Sequence, residues 1–167
     1  MQDAVDRLLA QWHGERPDVD VSPIGVVGRL SRAARVLERG LAREFGRHGL
    51  QGWEFDILAT LRRSGAPYEL TAGALAGSAM VTSGAITNRI DRLVARGLVT
   101  REVDPENRRS VRIGLTPQGR RLVDDVLPLH VANEASLLEP LSPAEQQRLA
   151  ALLRKLLAAH EQGPARD

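Results

Sequence analysis

The sequence predicts a mainly α-helical fold with a small β wing, a winged helix-turn-helix between long helical arms. Three observations predict it. Amphipathic segments with apolar residues three and four apart lie on both sides of the centre, two short helices joined by small residues lie within it, and two alternating strands follow them. The 167-residue chain is 43% hydrophobic and 26% charged, so it can bury a core and is not disordered.

The N-terminal third is predicted to form two helices. The first covers residues 3–12 and places Val5, Leu8, Leu9 and Trp12 on one face, and a polar connector follows over residues 14–23. A long amphipathic helix then starts at Ile24 and ends at residues 48–49. Its apolar seam consists of Val27, Leu30, Ala34, Leu37, Leu41 and Phe45.

The central third is predicted to hold three helices. The first covers residues 52–64, with Trp53, Ile57, Leu58 and Leu61 inward, and residues 65–67 break the chain. Thr71 caps a short helix that carries Leu75, and Gly77 and Ser78 form a turn. The next helix starts at Thr82 or Ser83 and runs to Arg96, with Gly97 as its C-cap. Its predicted buried residues are Ile86, Ile90, Leu93 and Val94.

Two strands and two helices complete the prediction. Residues 98–103 form a strand, residues 104–107 a type I turn, and residues 111–115 the returning strand. Thr116 and Pro117 start a long helix that we expect to kink near Pro128. Ser142 and Glu145 form a capping box before the last helix. Leucines at 149, 152, 153, 156 and 157 form the apolar stripe of that helix.

These elements divide the chain into four units: an N-terminal helix and connector (1–22), a dimerisation helix (23–50), a winged helix-turn-helix domain (51–116) and C-terminal dimerisation helices (117–167). No apolar run has the length of a membrane span, and the N-terminus has acids where a signal peptide needs an apolar core. We therefore expect a cytoplasmic protein. With no cysteine, the chain has no disulfide, thiol nucleophile or thiolate metal site.

Charge is concentrated in one segment. The net charge is only +2, but residues 82–121 carry nine basic and four acidic side chains, while residues 1–81 are neutral overall and residues 122–167 are net acidic. This pattern predicts a local surface that binds a polyanion. Aromatic residues make up only 3%, which is too few for a sheet that stacks single-stranded bases.

The second short helix and the wing supply the candidate contacts to double-stranded DNA. Small polar residues at the helix start can read base edges, Arg92 and Arg96 can meet phosphates, and arginines at the hairpin tip suit a minor groove or the phosphate backbone. The DNA-binding candidates are Thr82, Ser83, Thr87, Asn88, Arg92, Arg108, Arg109 and Arg112. The alternative is that arginine is merely common here, since the chain has 22 Arg and one Lys; clustering favours DNA.

Residues 52–119 resemble the MarR family of bacterial transcriptional regulators. The resemblance rests on the apolar helix pattern, TNRIDRLVARGLV in the recognition helix, DPENRRSVRIGLT in the wing and the closing TPQG. One departure is Asn107, where the family usually has Asp, so a charge that would hold a neighbouring Arg is missing. The resemblance implies a homodimer, joined through the long N-terminal helix and the last two helices, on a pseudo-palindromic operator. Both repression and activation stay open, and steric occlusion of the operator favours repression.

The extra N-terminal helix and its connector resemble the urate-responsive subgroup of that family. In that subgroup a Trp, an Asp and two Arg recognise the ligand. By local motif these correspond to Trp12, Asp56 in EFDIL, Arg89 in TNRI and Arg101 in VTREV. The resemblance thus implies urate or a related purine as effector, with no metal and no cofactor. Each residue also has a structural interpretation: Trp12 pins the extra helix, Asp56 pairs with an Arg, Arg89 contacts phosphate and Arg101 stabilises the wing.

Two other functions stay open. The same fold can sense a phenolic or drug-like ligand, in which case Asp56 and Arg89 are dispensable, or it can bind protein in place of DNA. We do not expect an enzyme. The four histidines have no metal-ligand spacing, and no glycine-rich phosphate loop precedes a helix.

Overall fold

The structure is a computed structural model that describes residues 2–78, 86–104, 107 and 110–161. The described part is mostly helical with one small antiparallel sheet, as the sequence predicts. The predicted contacts of Thr82, Ser83, Arg108 and Arg109 lie outside the described residues. In chain order the elements are α1 (Ala4–Glu15), α2 (Ser22–Arg47), α3 (Gly52–Arg63), β1 (Glu69–Thr71), α4 (Ala72–Ser78), α5 (Ile86–Ala95), β2 (Val99–Val103), β3 (Val111–Leu115), α6 (Pro117–Leu138) and α7 (Pro143–Glu161).

Helix α1 packs on the start of α2 through one buried side chain and a set of ion pairs. Val5 is buried against Gly28. Arg29 donates to both Asp3 and Asp6 at 2.6–3.1 Å. Asp3 also caps α1, and the backbone N–H groups of Asp6 and Val5, together with the Arg29 guanidinium, hold the pKa of the Asp3 carboxyl below its usual value.

Helix α2 begins earlier than the sequence suggests. The predicted connector extends to Pro23, but Ser22 and Pro23 form the first turn of α2, because proline is well suited to a position whose N–H needs no partner. Further along, α2 packs on α6. The ring of Phe45 stacks on His130 at 5.0 Å between centroids, and Gly40 admits the side chain of Leu137.

The main core surrounds α3. Ile57, Leu58 and Leu61 are fully buried, as predicted, and α3 packs against α2, α4, α6 and the sheet. Trp53 is half-buried at the edge of this core. The other buried apolar side chains of the core are Phe45, Leu50, Phe55, Leu75, Ile86, Ile90, Leu93, Leu98, Val99, Ile113, Val123 and Val126.

The sheet has three strands in the order β1-β3-β2, whereas the sequence predicts two. The hairpin β2–β3 pairs in register, with Arg101 opposite Ile113. The third strand, β1, pairs with β3, and its three residues with a single apolar side chain are too few to identify a strand by alternation. Between the hairpin strands the Asn107 N–H donates to the Asp104 carbonyl, the bond that the predicted turn requires.

Two local predictions are wrong. The sequence predicts a turn at Gly77 and Ser78, but both belong to α4, since the helix capped by Thr71 continues through them. It also predicts that Val94 is buried, and this side chain is 39% exposed. The buried residues Ile86, Ile90 and Leu93 follow one another at helical spacing and turn position 94 outward.

The C-terminal helices follow the prediction closely. Thr116 caps α6 by accepting from the Gly119 N–H, and α6 continues as one helix through Pro128. The Ser142 hydroxyl and the Glu145 carboxylate form the predicted capping box of α7. Within the described residues, none of the helices is long and apolar enough to cross a membrane.

Candidate DNA interface and ligand site

Helix α5 presents polar side chains at its described N-terminal end. Thr87 and Asn88 are exposed in the first turn, and Arg92 is exposed one turn further on. On the opposite side, Ile90 and Leu93 anchor the helix in the core. An exposed N-terminal turn on a firmly packed helix is the arrangement that reads base edges in a major groove.

The C-terminal end of this helix is held to α3 by Arg96. Its guanidinium donates to Glu54 Oε1 at 2.6 Å and to the Gly49 carbonyl at 3.0 Å. Glu54 is 5% exposed, and its other carboxylate oxygen accepts from the Gln51 N–H. Arg96, which the sequence suggests for phosphate contact, therefore positions α5 relative to α3.

The base of the wing contains a second buried carboxylate. Asp104 is buried, and its Oδ1 lies 3.1 Å from Arg112 Nη2 on β3. The chain thus holds Arg112 with a carboxylate at position 104. Arg112 is directed by this pair and keeps part of its side chain exposed.

The four predicted ligand residues lie on four different elements. Trp12 on α1 is 45% exposed, Asp56 on α3 is half-buried and has a partner, and Arg101 on β2 pairs with Asp91 of α5 at 3.2 Å. The Arg101–Asp91 pair links the wing to the helix that carries Arg89. Among the described residues, no contact joins Trp12 to the other three.

Arg89 has the most unusual environment of the four. Its Nη1 atom is buried and has no hydrogen-bond partner within the described part of the chain. The guanidinium carbon lies 5.4 Å from the centroid of the Trp53 ring, a cation–π contact. A buried guanidinium nitrogen without an acceptor is costly, which distinguishes Arg89 from the paired arginines Arg96, Arg101 and Arg112.

Trp53 lies beside Arg89, a contact that the sequence analysis missed because the helical pattern assigns Trp53 to the core. Its indole N–H donates to the Gln51 side chain, which fixes the ring beside Arg89. The sequence does contain one indication that Trp53 lies near Asp56: the two residues are three positions apart and share one face of α3. Only the tertiary structure shows that Arg89 of α5 lies over the Trp53 ring.

A large apolar groove lies elsewhere. It has a volume of about 740 Å³ and lies between α1, α2 and α7, lined by residues such as Leu9, Leu30 and Leu149. None of the four predicted ligand residues lines it. Large apolar side chains are exposed along the same helices and along α6. They include Val26, Val27, Val36, Leu127, Leu129, Val131, Leu152, Leu156 and Leu157.

A helix-turn-helix with a hairpin wing, set between long helices, defines a class: the winged-helix transcriptional regulators that bind DNA. The sequence pattern of the MarR family matches residues 48–110. The chain is also 41% identical to the HTH-type transcriptional regulator PecS of Dickeya dadantii over 91% of this chain and 92% of that protein. The chain therefore belongs to the MarR family, and its relatives are regulators, which confirms that it is not an enzyme.

Solved structures agree with this assignment. Sco3205, a MarR family regulator from Streptomyces coelicolor solved in complex with DNA, is 25% identical, with a TM-score of 0.78 over 88% of this chain and 91% of that one. BpsR of Bordetella bronchiseptica, whose DNA binding is regulated by 6-hydroxynicotinic acid, is 29% identical, with a TM-score of 0.71 over 78% and 91% of the two chains.

Proposed function

We propose that the protein is a homodimeric repressor that binds a pseudo-palindromic operator and is released from it by a small planar anion such as urate or a related purine. The apolar surface supports the homodimer. Exposed leucines and valines on α2, α6 and α7 continue the apolar groove, and a second copy would bury both. Twofold symmetry would then place the two α5 helices roughly 34 Å apart, one turn of DNA.

The DNA contacts divide by position on the domain. Thr87 and Asn88, together with Thr82 and Ser83, are proposed to meet base edges in the major groove. Arginines are proposed to contact phosphates or the minor groove. They are Arg92 on α5 and Arg108, Arg109 and Arg112 in the wing.

The ligand proposal depends chiefly on one observation, the buried Nη1 of Arg89 without a partner among the described residues. A carboxylate or a purine carbonyl would supply the missing acceptor, and the Trp53 ring beside it offers a flat apolar surface. Asp56, Arg101 and Trp12 complete the set implied by the urate-responsive subgroup. That BpsR responds to 6-hydroxynicotinic acid, itself a small planar anion, supports this ligand class.

Helix α5 is the proposed route from ligand to DNA. It carries Arg89 as well as Thr87 and Asn88, so an anion that draws Arg89 to a new position would rotate or shift the residues that read the operator. Arg101 is coupled to the same helix through Asp91, which would transmit the change to the wing. By thermodynamic linkage, ligand and operator must then weaken each other's binding by the same factor.

Fluorescence anisotropy on a labelled fragment of the upstream DNA of its own gene tests the proposal. We expect tight binding that weakens steeply with salt, since each phosphate contact contributes about 0.9 to the slope of log K against log salt. Urate should release the protein, and Arg89→Ala or Asp56→Asn should raise the urate concentration needed at least ten-fold.

Three outcomes would decide against parts of the proposal. Binding that is absent, or insensitive to salt, would contradict the DNA-binding role. Release by a phenolic ligand that Arg89→Ala and Asp56→Asn leave unchanged would favour a different effector site. The exposed variant Glu38→Gln, which changes a carboxylate without an ion pair among the described residues, is the control and should behave as wild type.

A further inference from the structure

The outer face of α2 carries a row of arginines that the proposed sites do not use. Arg32, Arg35, Arg39 and Arg43 are all exposed, and none of them has an ion pair or a hydrogen-bond partner among the described residues. We call these four residues the arginine stripe. They are spaced three, four and four positions apart, so they project from one side of the helix.

Arginines at both ends of the same helix are paired. Before the stripe, Arg29 is bound by Asp3 and Asp6, and after it Arg47 donates to Glu44 at 2.8 Å. The arginines of α2 that lack a partner among the described residues are therefore the four of the stripe, and Glu38 is the acidic residue of α2 that also lacks one there. Like charges at this spacing repel one another and destabilise a helix, so a bound polyanion would relieve the repulsion.

The spacing of the stripe suits a nucleic-acid backbone. With a rise of about 1.5 Å per residue, successive residues of the stripe are about 4.5, 6 and 6 Å apart along the helix axis. One strand of DNA presents a phosphate about every 3.4 Å, so alternate phosphates are separated by a similar distance. Guanidinium groups bind phosphate through two parallel hydrogen bonds.

This surface is separate from the end of α5 that reads DNA. Arg96, at the C-terminal end of α5, donates to the Gly49 carbonyl just beyond α2, whereas Thr87 and Asn88 are at the other end of α5. The stripe also faces away from α6, against which Phe45 packs. DNA held by the N-terminal turn of α5 would therefore not lie along the stripe.

We infer that the arginine stripe binds the phosphate backbone of a second segment of double-stranded DNA, without sequence preference. This inference rests on the proposed binding of a first segment by α5 and the wing. An acidic protein partner fits less well, because protein interfaces depend on buried aromatic and apolar anchors. No aromatic residue lies between Arg32 and Arg43, and protein–DNA interfaces are dominated by positive charge.

A capture experiment tests the inference. Biotinylated upstream DNA is immobilised and saturated with protein, and a fluorescent duplex of unrelated sequence is then added at two salt concentrations. We expect wild type to capture the second duplex, less at high salt, and the double variant Arg35→Gln/Arg39→Gln to capture at least five-fold less. The matched control, Arg148→Gln/Arg154→Gln, removes equal charge from exposed positions on α7 and should capture as wild type does.

Binding to the first duplex is measured on the same samples by anisotropy. If the first duplex binds normally and no second duplex is captured, the inference is overturned while the proposed function stands. Equal losses of capture in the stripe and control variants would also overturn the inference, since net charge alone would explain them. The inference is likewise wrong if a poly-glutamate competitor abolishes capture of the second duplex but excess unrelated DNA does not. Failure of wild type to bind the first duplex contradicts the proposed function itself.

Discussion

At the scale of single residues, the partner of each arginine decides what it does. Arg96 is fixed between Glu54 and a carbonyl, Arg112 is directed by Asp104, and Arg89 lies on Trp53 with a buried nitrogen that lacks an acceptor among the described residues. The guanidinium is identical in the three cases. Of the three, Arg89 is the arginine with a buried nitrogen to which a bound anion could supply an acceptor oxygen, and the proposed ligand site is placed there.

Single-tryptophan variants test this arrangement. Trp12 and Trp53 are the two tryptophans of the chain, so Trp12→Phe leaves only Trp53 to report and Trp53→Phe leaves only Trp12. Because Trp53 contacts Arg89, we expect urate to quench Trp53 fluorescence at least twice as strongly as that of Trp12. Free tryptophan titrated in parallel corrects for absorption by urate, and quenching confined to Trp12 would show that Trp53 is not at the site.

At the scale of elements, close backbone approach sets how the wing joins α6. A Cβ atom on Gly119, in the first turn of α6, would lie within about 2.0 Å of the Leu98 carbonyl oxygen, which is backbone and cannot rotate away. Thr116 strengthens the same junction, since its hydroxyl donates to the Gly97 carbonyl and accepts from Gly119. The junction thus fixes the direction of α6 relative to the hairpin.

Two glycine substitutions separate this packing effect from helix propensity. Gly119→Ala should destabilise the protein by at least about 2 kcal/mol, because the backbone must shift to admit the methyl group. Gly46→Ala, on α2 with no atom within 4 Å of the new Cβ, should instead stabilise by about 0.5 kcal/mol. Urea unfolding followed by circular dichroism measures both, and a Gly119→Ala variant as stable as wild type would show that α6 and the hairpin do not meet this closely.

At the scale of the whole molecule, the exposed apolar surface is the main feature that one chain leaves unexplained. The wing and α3 to α5 form a closed core, but α7 leaves Leu152, Leu156 and Leu157 largely exposed. Helix α2 and α6 add further apolar side chains to this surface. A twofold arrangement of two chains would cover these faces and bring two DNA-binding domains together. Two linked domains bind DNA more tightly than one, through multivalency.

Charge placed on this surface should separate the proposed dimer. We expect Leu152→Glu combined with Leu156→Glu to yield monomers by size-exclusion chromatography with light scattering. Because a monomer has one DNA-binding domain in place of two, operator affinity should fall at least ten-fold. Gln147→Glu on the same helix is the control and should remain dimeric, and a dimeric double variant would place the interface elsewhere.

Much of the fold could be predicted because it depends on local patterns. The helical spacing of Ile57, Leu58 and Leu61, the cap at Thr116 and the box at Ser142 each act within a few residues, and the structure confirms them. Strand β1 could not be predicted, since three residues are too few to show an alternating pattern, and they form a strand only by pairing with β3. The prediction for Val94 is wrong because a neighbour of buried residues on a helix can still face outward.

The class of protein follows from the sequence alone, through the order of helices, the hairpin and the cluster of basic residues. The sequence also identifies Arg89 and Asp56 as candidate ligand-binding residues, through the resemblance to the urate-responsive subgroup. Which side chains meet depends on the tertiary structure: Arg96 meets Glu54, Arg112 meets Asp104, and Arg89 meets Trp53. The physical reason is the distance along the chain over which each interaction acts. Helix caps and amphipathic patterns involve residues that are close in sequence, whereas these ion pairs and ring contacts depend on how whole helices pack.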